Sequence, residues 1–138
     1  PSYCRTPVRD PSRAETGVMS DSMGSGGLAW HQWKKHGRCA GVSAQEYFEL
    51  SRQAYRSVNR PDVFRRLTDD IRVPAEVVEE AFLKDNPGLT DAGLTMTCKS
   101  DRIHEIRVCL TKDLTPRSCG SDAPRDCRND RALMTPIR

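Results

Sequence analysis

The sequence has no apolar run that approaches the about 20 residues needed to span a bilayer as a helix, which excludes an integral membrane protein of that kind. It has no CxxC pair and no cysteine–histidine spacing typical of zinc sites, so we expect neither a metal nor another cofactor. Internal repeats and low-complexity tracts are also missing. These absences leave an ordinary globular chain without a metal framework.

The composition that is present fits one mildly basic domain. The 138 residues include 22 Lys and Arg against 19 Asp and Glu, for a net charge of +3. This surplus permits a polyanionic partner without requiring one. A hydrophobic content of 36% excludes wholesale disorder, and the length suits a single domain with one modest core.

The cysteines indicate disulfide bonds. An even number of cysteines in a small chain favours disulfides and an oxidising compartment, so we expect a secreted or periplasmic protein. Spacing alone does not choose among the possible pairings. The six positions are Cys4, Cys39, Cys98, Cys109, Cys119 and Cys127.

The first half of the chain is expected to be helical after a long loop. Residues 5–27 are polar and glycine-rich, which predicts loop. Residues 28–36 suit a short helix that stops at Gly37. The capping box Ser43-Ala44-Gln45-Glu46 begins another helix, which we expect to reach about Val58. Its predicted buried residues are Phe48, Leu50, Ala54 and Tyr55.

The second half changes from helical to strand periodicity. A short helix is predicted over 61–66, and another from Pro74 to the stop at 86–88, with Val77, Val78, Ala81 and Phe82 buried. Alternation over 94–98 and 106–110, around the turn residues 99–102, predicts a β-hairpin. The tail from Pro116 is expected to be loop. The fold class is therefore α+β: a single domain with an antiparallel β-sheet core, flanking helices and disulfides.

Two of the three histidines lie on one face of the predicted 28–36 helix. With His31 at zero and about 100° per residue, Lys35 lies near about 40°, Gln32 near about 100° and His36 near about 140°. The two tryptophans of this helix, Trp30 and Trp33, lie on the other side, where we expect both to anchor it in the core. The polar side combines groups that bind anions with groups that move protons.

This pattern suits RNA cleavage better than metalloprotease chemistry. The zinc-protease motif needs histidines at i and i+4 with a glutamate, whereas here they are at i and i+5 with Gln32. Attack by the 2′-hydroxyl of RNA needs a base, cations for the phosphorane and an acid for the leaving oxygen. The alternative is a basic helix face with two surface histidines. The third histidine, His104, lies in the predicted hairpin, where we expect a surface or structural role.

The helix sequence resembles a known active-site motif. His31-Gln32-Trp33-Lys34-Lys35-His36-Gly37-Arg38-Cys39 is similar to H-E-W-x-K-H-G-T-C, the second active-site segment of the ribonuclease T-two family, at seven of nine positions including the free one. Residues 1–4 resemble the family's W-S-P-S-x-C stretch, and 79–89 its later helix and turn. Residues 106–113 resemble its late strand, especially in bacterial members. The resemblance covers nearly the whole chain.

The resemblance implies roles for five residues. His36 would be the general base, Lys35 would stabilise the phosphorane, and His31 would bind the substrate phosphate. Gln32 stands where the family has glutamate, and an amide can donate hydrogen bonds but cannot take up a proton. Arg38 replaces a threonine and would add a substrate-binding cation.

The family's first active-site segment, H-G-L-W-P, has no counterpart. It holds the general-acid histidine, and residues 5–30 contain no histidine. We therefore expect an internal segment to be missing near residues 10–11. The resemblance also implies the disulfides Cys98–Cys127 and Cys109–Cys119. Cys4 and Cys39 would then each need a partner in the missing segment, with a direct Cys4–Cys39 bridge as the alternative.

The activity implied is an endoribonuclease of low base specificity. It would cleave single-stranded RNA by transphosphorylation to a 2′,3′-cyclic phosphate, followed by hydrolysis to 3′-phosphate ends. The expected partner is RNA, with no membrane and no metal, and the protein is expected to be a monomer. The alternative is a catalytically impaired protein on the same fold that binds RNA or phosphate.

Overall fold

The computed structural model describes residues 1–124 and 126–137. They form two compact units, Pro1–Ser57 and Val58–Arg138. The first unit is helical and the second holds a four-stranded sheet, so the α+β class is confirmed. None of the helices within the described residues has the length and apolar character required to cross a membrane.

The first unit contains more helix than the sequence analysis expected. Its helices are α1 (Arg13–Gly17), α2 (Ser20–Met23), α3 (Gly26–Lys35) and α4 (Ala44–Ser57), with a 3-10 turn over Gly37–Cys39. The prediction of loop over 5–27 holds for residues 5–12 and is wrong for the segments that form α1, α2 and the start of α3. A capping box starts α1. The Ser12 amide donates to the Glu15 carboxylate at 2.7 Å, and the Glu15 amide donates to the Ser12 hydroxyl at 3.2 Å.

The predicted capping box of α4 is confirmed, and its buried face is narrower than expected. The Ser43 amide donates to Glu46 at 2.8 Å, and the Glu46 amide donates to the Ser43 hydroxyl at 3.2 Å. Phe48 is buried, but Leu50 is 36% exposed because it lies about 200° around the helix from Phe48. Tyr55 is 41% exposed although it lies on the same helix face as Phe48, about two turns further on. Leu50 and Tyr55 were therefore wrongly assigned to the core.

The core of the first unit is built around Trp33. This side chain is fully buried, and its ring centroid lies 5.7 Å from that of Tyr47 and 6.4 Å from that of Phe48. Trp30, which was expected to be buried as well, is 37% exposed. The other members of the cluster are Met19, Ala29 and Ala44. Only one of the two tryptophans therefore anchors α3.

The second unit carries a mixed sheet. Its elements are α5 (Asp62–Arg65), β1 (Ile71–Val73), α6 (Ala75–Asp85), a 3-10 turn (Asp91–Gly93), β2 (Leu94–Lys99), β3 (Arg102–Val108) and β4 (Ala132–Met134). The strand order is β1-β4-β3-β2, and the β3–β4 pair is parallel. The sheet is therefore mixed: the β1–β4 and β2–β3 pairs are antiparallel, as expected for the core, and the β3–β4 pair is parallel because a long segment, not a tight turn, separates β3 from β4.

The predicted hairpin is confirmed as β2 and β3. Leu94 pairs with Val108 and Met96 with Ile106, and β3 begins at Arg102, earlier than predicted. β4 lies in the tail that was expected to be loop. The core residues of this unit are Phe64, Ala75, Val78, Phe82, Leu94, Met96, Ala132 and Met134. Val77 was wrongly placed among them and is 45% exposed.

Three disulfides cross-link the chain, one within the first unit and two within the second. Cys98–Cys127 and Cys109–Cys119 are the pairs that the resemblance implied, and both lie in the second unit. Cys4 pairs directly with Cys39, with their Cα atoms 5.2 Å apart. The expectation that each pairs within an absent segment is wrong, because Tyr3 donates its amide to the Lys35 carbonyl at 2.7 Å and so brings Cys4 to the end of α3.

Gly37 is required by packing against Trp33. It is buried, its φ is not positive, and a Cβ built on it would overlap the Trp33 ring. Gly17, at the end of α1, offers a control because a Cβ there meets nothing within 4 Å.

We predict that Gly37→Ala lowers the free energy of unfolding by about 1–3 kcal/mol, the usual cost of overpacking. Gly17→Ala should raise it by about 0.4–1 kcal/mol, because alanine fits this helical position and restricts the unfolded chain. Urea denaturation followed by circular dichroism measures both. Equal stabilities for the two variants would contradict the assigned packing of Trp33 on Gly37.

Candidate active site

Helix α3 is fixed at both ends, and its rotation is set by Trp33. The Ser25 hydroxyl caps its start by accepting the Leu28 amide at 3.0 Å. At the other end the His36 amide still donates to the Gln32 carbonyl at 2.8 Å. Because Trp33 is buried, the side of α3 opposite its ring faces solvent.

His31, Gln32 and Lys35 lie on the solvent-facing part of α3, and His36 is the C-cap residue that follows it. His31 and His36 are exposed, and Gln32 and Lys35 are half-buried. Within residues 1–124 and 126–137, none of the four side chains has a hydrogen bond, ion pair or ring contact. All four are therefore available to a ligand.

The turn that carries His36 is held by the amino-terminal residues. The amide of Tyr3 donates to the Lys35 carbonyl, which would otherwise be an unpaired group at the helix end. The Cys39 amide donates to the His36 carbonyl at 2.9 Å, and the Cys4–Cys39 disulfide closes the same turn. In the sequence, residues 1–4 stand out only by their resemblance to the family's early stretch. That resemblance does not predict the contact between Tyr3 and Lys35.

Asp10 joins α3 to the following turn, a contact that no local sequence pattern predicts. Its carboxylate accepts the Trp33 indole N–H at 2.9 Å and two guanidinium donors of Arg38, Nε at 3.0 Å and Nη2 at 2.5 Å. The hydrogen bonds from Arg38, and then from Trp33, hold the pKa of the Asp10 carboxyl below its usual range. A buried tryptophan needs a hydrogen-bond acceptor for its indole N–H, and this requirement is the one indication in the sequence that a residue such as Asp10 contacts Trp33.

Arg38, for which a substrate-binding role is predicted, has a partner within the protein. Its guanidinium forms an ion pair with Asp10, so in this structure it neutralises a carboxylate of the protein. Two further cations, Lys34 and Lys35, lie in the last turn of α3. They lie at the negative end of the helix dipole, so any anion bound there is attracted by side chains and not by the dipole.

His104 and the acidic residues of the second unit lie outside the set formed by His31, Gln32, Lys35 and His36. His104 is exposed on β3, as predicted. In the second unit a cavity of about 440 Å³ is lined mainly by carboxylates, among them Glu79, Asp91 and Asp126. Burial, followed by the charges of Asp126 and Asp91, raises the pKa of Glu79 to about 7. Among the described residues no group of three or more His, Cys, Asp or Glu is arranged to hold a metal ion.

We predict that Asp10→Ala lowers the free energy of unfolding by about 1–3 kcal/mol, because it leaves the buried Trp33 N–H without an acceptor. Asp10→Asn keeps an acceptor and should cost less. Because the pKa of Asp10 is lowered on folding, its contribution is present above its ordinary pKa and is lost as the pH falls through the folded value. Urea denaturation at pH 7 and pH 3 measures this, with Asp21→Ala as the control, since Asp21 forms an exposed ion pair with Arg52. A neutral Asp10→Ala would contradict the network.

No family model and no curated protein matches the sequence. Two solved structures match it in fold. An RNase-related protein from Calystegia sepium gives a TM-score of 0.70 over 99% of this chain and 74% of its own, at 19% identity. A structure of RNase NT in complex with 5′-AMP gives a TM-score of 0.75 over 99% of this chain and 76% of its own, at 17% identity. The chain therefore has the fold of these RNase structures, which is the fold that its histidine motif implied.

Proposed function

We propose that the protein is an endoribonuclease of the ribonuclease T-two type, which cleaves single-stranded RNA with low base specificity. The observation that carries this proposal is a set of four side chains along α3 and its C-cap that have no partner among the described residues: His31, Gln32, Lys35 and His36. Two imidazoles, an ammonium and an amide can move a proton and bind phosphate oxygens, and a purely structural helix face needs none of them.

In the first chemical step, His36 takes the proton of the substrate 2′-hydroxyl. The 2′-oxygen then bonds to phosphorus as the bond from phosphorus to the 5′-oxygen breaks, which leaves a 2′,3′-cyclic phosphate. The Lys35 ammonium stabilises the extra negative charge of the phosphorane, and His31 and the Gln32 amide donate hydrogen bonds to its oxygens. Water hydrolyses the cyclic phosphate to a 3′-phosphate. DNA lacks the 2′-hydroxyl and is not a substrate.

The departing 5′-oxygen needs a proton, and we assign its donor to a segment missing near residues 10–11. Asp10 is hydrogen-bonded to Trp33, so a segment inserted there would leave the chain beside the helix that carries His31 and His36. The match to 74% and 76% of the two RNase chains leaves part of each without a counterpart here, as such a missing segment requires.

The fold and the disulfides support the same proposal. One of the structures with this fold is an RNase with bound 5′-AMP, a nucleotide with a phosphate like those of the proposed substrate. The three disulfides fit an oxidising compartment, so we propose that the protein works outside the cytoplasm, as a secreted or periplasmic monomer.

A second candidate is a protein that binds RNA or phosphate without cutting it. Two observations favour it: residues 5–30 contain no histidine to act as the acid, and Gln32 cannot take up a proton. Tight binding of an oligoribonucleotide that stays intact, in protein that carries the complete gene sequence, would select this candidate.

We predict that His36→Ala lowers kcat by about 10²–10⁴-fold, the usual contribution of a positioned general base. KM should change little, because phosphate binding falls mainly to His31 and Lys35. The matched control is His104→Ala, which removes an exposed histidine of β3 and should leave kcat unchanged. Cleavage of a fluorescent oligoribonucleotide measures these values in protein that contains the segment proposed to be missing near residues 10–11, after melting curves show that each variant is folded. A kcat above about a tenth of wild type would mean that His36 is not the base.

We predict that RNA cleavage survives EDTA. The proposed groups are imidazoles, an amide and an ammonium, and they include no carboxylate oxygens of the kind that hold Mg²⁺ or Ca²⁺. The measurement is the initial rate of cleavage before and after dialysis against chelator. Loss of the rate, with recovery on adding Mg²⁺ or Zn²⁺, would overturn the proposed mechanism.

A further inference from the structure

A second concave surface lies beside the histidine helix, in the same unit. It is a cavity of about 620 Å³ between the start of α1 and the start of α3, and its walls include Pro11, Arg13, Gly26 and Trp30. None of these residues belongs to the predicted catalytic set. We call this surface the Trp30 cavity.

Trp30 is an unusual residue to find exposed at such a place. It is 37% exposed, whereas Trp33 of the same helix is fully buried. Within the described residues its ring makes no aromatic contact, and its indole N–H has no acceptor. It directly precedes His31 and lies about 100° around α3 from it. Its ring therefore lies on the side of α3 away from Gln32, Lys35 and His36, and this aromatic face is open to a ligand.

The cavity also offers a free positive charge. The exposed Arg13 guanidinium has no hydrogen bond or ion pair in the part of the chain that the structure describes. Glu15, on the same helix, does not neutralise it, because its carboxylate already accepts from Arg9 at 2.7 Å and from the Ser12 amide at 2.7 Å. A cation beside an aromatic face suits a ligand that has both a flat ring and an anion.

We propose that the Trp30 cavity is a nucleotide subsite for the RNA strand, in which Trp30 stacks on a base and Arg13 binds a phosphate. This inference rests on the proposed function, since it assumes that the strand lies across α3. A purely apolar ligand would leave the Arg13 charge unused. Stacking on an aromatic ring accepts any base, so such a subsite extends the contact with RNA without adding base specificity.

The test uses the 138-residue chain with its disulfides formed and a tetradeoxyadenylate probe, which lacks the 2′-hydroxyl and stays intact. The chain has two tryptophans and Trp33 is buried, so quenching by acrylamide reports mainly on Trp30. Bound probe should protect this fluorescence. Trp30→Ala should raise Kd by about 5- to 150-fold, the loss expected for one stacked base. Trp30→Phe keeps an aromatic face and should lose less.

Arg13→Gln should weaken binding and reduce the salt dependence of log Kd by about 0.7, the value for one phosphate contact to a single strand. The matched control is Val18→Ala, a change at a residue of the same unit that is 66% exposed and does not line the cavity. It should leave Kd unchanged. Fluorescence that the probe does not protect, or a folded Trp30→Ala with wild-type Kd, would overturn the proposal. The proposal would also be overturned if an apolar dye bound in the cavity were displaced by other apolar molecules but not by the tetradeoxyadenylate probe.

The subsite and the catalytic proposal can fail separately. His104→Ala should bind the deoxy probe like wild type, because His104 is an exposed residue of β3 and does not line the Trp30 cavity. Suppose that protein containing the proposed missing segment does not cleave RNA, but Trp30→Ala still raises Kd for the deoxy probe. The endonuclease proposal is then wrong and the subsite stands. If RNA is cleaved and Trp30→Ala changes neither Kd for the probe nor KM for RNA, the subsite is wrong and the nuclease stands.

Discussion

The first unit depends on the burial of Trp33 with its indole N–H on the Asp10 carboxylate. A fully buried donor without an acceptor is costly, so Asp10 is held in place, and Arg38 balances its charge. The same ring packs on Gly37 and faces Phe48. Trp33 therefore sets the rotation of α3, and that rotation turns the histidines to solvent.

The proposed chemistry follows from that rotation. A histidine can be a base only if its nitrogens are not already used, and the structure leaves the side chains of His31 and His36 without partners among the described residues. The backbone contact of Tyr3 and the Cys4–Cys39 disulfide hold the turn that carries His36. Free side chains on a firmly held backbone are what a positioned catalyst requires.

The second unit is stabilised by different means. Its sheet packs on α6, and the segment that follows β3 returns along β2, where the Cys127 amide donates to the Met96 carbonyl at 2.7 Å. The Cys98–Cys127 disulfide closes the same contact. Asn86, at the end of α6, is buried with its amide bonded to Asn59 and Phe82. Covalent and polar contacts thus support a core of limited size.

The sequence by itself determined which chemical groups share one face of α3, because helical periodicity depends only on spacing along the chain. The capping box of Ser43 and the β2–β3 hairpin were predictable for the same local reason, and the signal at Ser12 was equally present. Tertiary structure alone decided which tryptophan is buried, that Arg38 pairs with Asp10, and that β4 lies parallel to β3. Each of these outcomes joins residues that are distant in sequence or depends on what packs against a helix face. No local pattern specifies such contacts.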